Sequence, residues 1–181
     1  MGSLTGVSVG FLGLGDVGRP VLRRLKACGA NVHATSRSPA LRYKMARDAV
    51  NLYKAPNEVN DQVKDGIIFL MLSKQALIDA FLSGPDGLLS NLASGALVVD
   101  LGQTSPEATQ KFAKMVEEKG AHWLDAPAIG SEQDATEGRL SIRVGSRPED
   151  FDRARPILEK IGRDIKHMGE VGSGQAAVPI N

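Results

Sequence analysis

The chain has 181 residues, 42% of them hydrophobic, with 22 Lys and Arg against 21 Asp and Glu, enough for one globular domain with a short appendage. A net charge of +1 leaves no basic excess for a nucleic-acid backbone or an anionic membrane, so neither is expected as a partner. One cysteine, Cys28, and three isolated histidines offer neither a disulfide framework nor a metal site, and with no basic-then-apolar leader they point to a soluble, cytoplasmic protein.

Taken in chain order, apolar runs alternate with segments of helical period. Strands are expected at 7–12, 31–35 and 50–53, each followed by a helix, at 17–28, 41–47 and 57–63. The rhythm continues with a strand at 67–72, the longest apolar stretch and far too short to span a bilayer. A helix near 74–82, a strand at 96–101, a helix at 106–118 and a strand at 123–126 follow. These strands read as nearly continuous apolar runs, so both faces are covered, as in a parallel sheet of a doubly wound α/β fold. Ser105-Pro106 has the look of a helix cap, and Ser146 to Glu149 has capping-box spacing. Residues 139–144 alternate as an edge strand would, and 165–168 suggest another short one. No repeat or long linker divides the chain; 1–170 reads as one domain and 171–181 as the start of a further segment.

Gly13, Leu14, Gly15, Asp16, Val17 and Gly18 form a GxGxxG string between the first strand and the first helix. In that context Gly13 permits the tight turn, Gly15 lets a diphosphate approach the backbone, and Gly18 lets the helix sit close to the sheet. The helix N-terminus adds free N–H groups and partial positive charge. A Rossmann-type dinucleotide site is the reading, with ordinary turn punctuation as its alternative. About 20 residues further on, an NAD site carries an acid for the ribose hydroxyls. Here the stretch contains Ser36, Arg37 and Ser38 and no carboxylate, which suits a 2′-phosphate. NADP(H) is therefore expected, with NAD(H) second; a solvated arginine in a serine-rich loop is the ordinary alternative.

The run 10–20 (GFLGLGDVGRP) resembles the opening signature of the β-hydroxyacid dehydrogenases, relatives of 6-phosphogluconate dehydrogenase that include 3-hydroxyisobutyrate dehydrogenases and glyoxylate reductases. The similarity continues in order through 69–72, 100–106, 125–127, 138–140 and 172–177. It implies hydride transfer between a nicotinamide and a small carbonyl, hydroxyacid or imine substrate. It also implies that Met71 and Leu72 line the nicotinamide ribose, that Gln103 lies near the nicotinamide, and that an all-helical domain, often dimerising, completes the enzyme. Two positions depart from the pattern. Ile129 stands where the family has a substrate-holding serine, with Ser131 two residues away, and Val178 stands where it has a lysine acid/base. Neither side chain can hydrogen-bond a substrate or move a proton. Imine reductases, similar to this family, dispense with the lysine, so hydride chemistry survives the departure; a non-catalytic NADP(H)-binding sensor is the rival reading. Pro179 disfavours a long helix at this point, so the helical domain is expected to be missing or altered and the chain alone to be inactive. Among other candidate proton donors, His33, His122 and His167 read more simply as structural, and Asp125 as a cap on the turn after its strand.

Overall fold

The computed structural model describes residues 3–36, 38–48, 50–72 and 74–178; Arg37 and Pro179 to Asn181 lie outside the described residues. Six strands form the parallel body of one sheet: β1 (Ser8–Leu12), β2 (Asn31–Thr35), β3 (Asn51–Tyr53), β4 (Ile67–Leu70), β5 (Leu97–Asp100) and β6 (His122–Asp125). Their order is β3-β2-β1-β4-β5-β6, which reverses direction between β1 and β4. Helices α1 (Gly18–Ala27), α2 (Pro39–Ala46), α3 (Pro56–Val63), α4 (Gln75–Ser83) and α5 (Pro106–Glu117) make the crossovers.

The apolar runs sort as the parallel reading requires. Along β4, Ile67 and Phe69 join one core, which holds Leu22 and Leu25 of α1. Ile68 and Leu70 join the other, with Val59 of α3, Ile78 of α4 and Phe112 of α5. A strand buried on both faces has no polar alternation to display. Trp123 fills the second core, and its indole N–H donates to Thr109 Oγ1 at 2.9 Å, so its one polar atom is satisfied. Several helices begin where proline fixes the backbone before any intrahelical donor is needed: Pro39, Pro56 and Pro106 stand at helix starts, and Ser38 and Ser105 accept hydrogen bonds from Leu41 N and Ala108 N.

The last third of the chain corrects several expectations. The strand expected at 139–144 is β8 (Leu140–Gly145), an interior strand. It lies between β6 and β7 (Ala128–Ile129), both antiparallel to it, and the parallel β9 (Gly162–Gly169). Its alternation reflects half-burial, which interior position does not prevent. The short strand expected at 165–168 is this eight-residue β9, whose exposed Arg163 and Lys166 mask it from a search for apolar runs. Ser146 does not cap the following helix, α7 (Pro148–Ile161). Its N–H donates to Gly169 O at 2.9 Å, which holds it in the β8–β9 region, and Arg147 takes the cap position. The six-residue α6 (Glu132–Glu137) has no counterpart among the expected elements. Ser131 caps it by accepting from Asp134 N at 3.1 Å, while Asp134 accepts from Ser131 N at 2.9 Å. The short α8 (Ser173–Ala177) ends the described chain, with Val178 extended at its C-terminus.

Candidate functional site

At the carboxyl edge of the sheet, where β1 and β4 diverge, the glycine turn assigns a distinct task to each glycine. Gly13 has φ +116°, and a Cβ there would sit 2.1 Å from Met71 O. A Cβ on Gly18 would sit 2.1 Å from Gly13 O and meet the Phe11 ring. Both positions are closed to any side chain. Gly15 is the opposite case: exposed, outside the left-handed region, with nothing within 4 Å of a Cβ. The turn therefore keeps open a space that packing alone does not require. Helix α1 opens with Val17 at its cap, no side-chain cap bond and no acid in its first turn, which leaves its N-terminus suited to an anion.

Two cavities flank this turn. The first, about 450 Å³, is lined by Gly13 and Leu14, by Thr35 and Ser36 after β2, and by Lys54, Pro56 and Phe81 opposite. The second, about 440 Å³, takes Gly15, Asp16, Val17 and Gly18 on one side and Met71, Gly102, Gln103 and Ala128 on the other. Leu72 borders both. The residues singled out in the sequence are thus brought together along one cleft, except Arg37, which lies outside the described residues, and Ser38, which caps α2. Around Ser36 the loop is braced: Arg42 donates to Ser36 O at 2.6 Å and Ser38 N donates to Ser36 Oγ at 3.1 Å. Lys54, Pro56 and Phe81 escaped the sequence reading. Lys54 directly follows a strand that ends at the ligand edge, and that position was the available signal.

The remaining candidates resolve as structure. His33 pairs with Tyr53 Oη at 3.1 Å, and burial holds its pKa below the usual value. His167 stacks on Phe151 at 4.8 Å and donates to Ser146 O at 3.0 Å. Ser131 caps α6, and Ile129 on β7 is 36% exposed. Asp125 is fully buried and does cap a turn, though a distant one: it accepts from Gly172 N at 2.7 Å and Gln175 N at 2.9 Å, anchoring α8.

Asp100, opposite Asp125 in the β5–β6 register, accepts from Gly102 N at 2.9 Å through Oδ1, while its Oδ2 has no partner among the described residues. Burial pushes its pKa up to about 7; the Gly102 N–H opposes this, and the Asp125 charge adds to it. An acid whose folded-state pKa is raised stabilises the fold fully below its unfolded value near 4 and loses that contribution as pH rises through about 7. Thermal stability is therefore expected to fall between pH 4 and pH 7 and to level off above. Asp100→Asn should remove most of that slope, an effect on the order of 1–4 kcal/mol across the window. Melting curves from pH 4 to pH 8 check it, and a wild-type profile flat from pH 4 to 7 would contradict it.

A mostly parallel sheet with a glycine turn at its switch point and a cleft across its carboxyl edge defines a dinucleotide-binding domain. Residues 8–169 match the NAD binding domain of 6-phosphogluconate dehydrogenase, and the chain belongs to that family. It is 34% identical over 175 residues to 2-(hydroxymethyl)glutarate dehydrogenase of Eubacterium barkeri, covering 97% of this chain and 58% of that one. Among solved structures it resembles Psf3 in complex with NADP+ and 2-OPP (TM-score 0.87, 29% identity, 93% of this chain and 59% of that one). It also resembles Mycobacterium tuberculosis 3-hydroxyisobutyrate dehydrogenase with L-serine (TM-score 0.86, 27% identity, 94% and 57%). The chain spans a little over half the length of each. No helix among the described residues is long and apolar enough to cross a membrane.

Proposed function

We propose that this chain is the NADP(H)-binding part of an oxidoreductase that transfers hydride between the nicotinamide and a small carbonyl, hydroxyacid or imine. The observation that carries the reading is the cleft itself, running from Ser36 past an open Gly15 to Gln103. The Gly13–Gly18 turn and the uncapped start of α1 would hold the diphosphate. Thr35, Ser36 and Lys54 would face the adenosine end, and Met71, Leu72 and Gln103 the nicotinamide end. When bound, the cofactor supplies the hydride; the chain's own residues bind it, orient it and wall one side of the cleft. The relatives dehydrogenate or reduce small hydroxyacids and oxoacids, which supports the substrate class.

The preference for NADP(H) rests on Arg37 between two serines and on the missing acid after β2. A guanidinium pairing with a 2′-phosphate is worth roughly 1.5–3 kcal/mol, so Arg37→Ala should weaken NADPH about ten- to a hundredfold and leave NADH nearly unchanged. Calorimetric titration of both cofactors tests this. Equal losses for the two would remove the 2′-phosphate contact, and a native chain that binds neither would remove the cofactor assignment.

A further inference from the structure

One loop of the cleft is held by a side chain far away in sequence. The loop from Gly102 to Thr104, which carries Gln103 into the second cavity, is held from a distance by Gln175. That side chain is 2% exposed. Its Oε1 accepts from Thr104 N at 3.0 Å and its Nε2 donates to Gly102 O at 2.8 Å, so both halves of the amide are used, one on each side of Gln103. No other partner serves Thr104 N or Gly102 O among the described residues. Gln175 is itself fixed: its backbone N–H bonds Asp125, and its neighbour Gly174 packs so closely on β8 that a Cβ would fall 2.5 Å from Arg143 O. A buried amide with matched donor and acceptor is costly to replace, because truncation leaves two backbone groups unsatisfied.

We infer that Gln175 is a positioning residue for the nicotinamide end of the cleft, holding Gln103 in place by clamping the backbone on either side of it from α8. This rests on the cofactor reading above. The first cavity contains neither the 102–104 loop nor anything bonded to Gln175. The clamp therefore acts on one end of the dinucleotide only, and α8 is mechanically joined to that end.

The test compares NADPH with 2′-phospho-ADP-ribose, which has the adenosine end and diphosphate but no nicotinamide, by calorimetry on the 181-residue chain. The native chain is expected to bind NADPH more tightly than the fragment. Gln175→Met, which fills the same volume without hydrogen bonds, should weaken NADPH by about tenfold and the fragment by no more than about twofold. Hydrogen exchange at the Thr104 amide should quicken while amides of β1 stay protected, a local signature that general destabilisation would not give. Should Gln175→Met fail to fold, Gln175→Glu decides the question with the same ligands, since it keeps an acceptor for Thr104 N but loses the donor to Gly102 O. Equal losses for both ligands, or no loss for either, would overturn the inference. A native chain that binds both equally would overturn it while leaving the cofactor assignment standing. A native chain that binds neither would overturn the two together.

Discussion

Gly15→Val is expected to abolish binding of NADPH and NADH alike while the protein stays folded. The three glycines of the turn have different tasks, and their surroundings make them different experiments. At Gly13 and Gly18 a new side chain would collide with backbone oxygens at 2.1 Å, so lost binding there could follow from a distorted turn. At Gly15 nothing lies within 4 Å and the backbone does not need positive φ, so valine can be built without strain. Its side chain would fill the space that the diphosphate needs if backbone N–H groups are to reach it. Stability should shift by no more than about 0.5 kcal/mol, as for other exposed substitutions. Titration and a melting curve on the same variant check both halves. Undiminished affinity in a folded variant would reduce the turn to punctuation.

The 181-residue chain by itself is expected to show no NADPH oxidation above background with succinic semialdehyde, glyoxylate or a cyclic imine, even at saturating cofactor. Carbonyl reduction needs a proton as well as a hydride. Asp16 is the one ionisable residue lining the second cavity among the described residues, and it stands on the glycine turn, away from Gln103 and Ala128. Val178, at the family's lysine position, and Ile129, at its serine position, offer no exchangeable proton. Ser131, His167 and Asp125 are held in bonds elsewhere. Positioned acid–base catalysis contributes about 10²–10⁴-fold, so turnover should fall to background even with hydride geometry intact. Restoring Ile129→Ser and Val178→Lys together should recover little, because water still has access to the cleft. Clear turnover by the unmodified chain would mean that a proton donor has been overlooked, with Asp125, His167 and Ser131 the first to test.

The sequence by itself determined the parallel half of the fold and the place of the cleft. Strands buried on both faces read as continuous apolar runs, and β4 accordingly starts where its run does. The glycine turn was legible because its three constraints are local: one residue must take positive φ, one must pack against its neighbour's carbonyl, and one must stay open. Only the tertiary structure decided the rest. That β8 is interior and β9 the edge depends on pairings between residues far apart in the chain, such as Leu140 with Gly162, and a half-buried strand shows the same alternation in either place. Asp125 read as a cap for the turn beside it, but the N–H groups it holds lie 47 and 50 residues away. Gln175 showed no signal of its own, because a buried polar side chain declares its role only through partners that folding brings to it. Chemistry set by neighbours in the chain could be read in advance; chemistry set by neighbours in space required the fold.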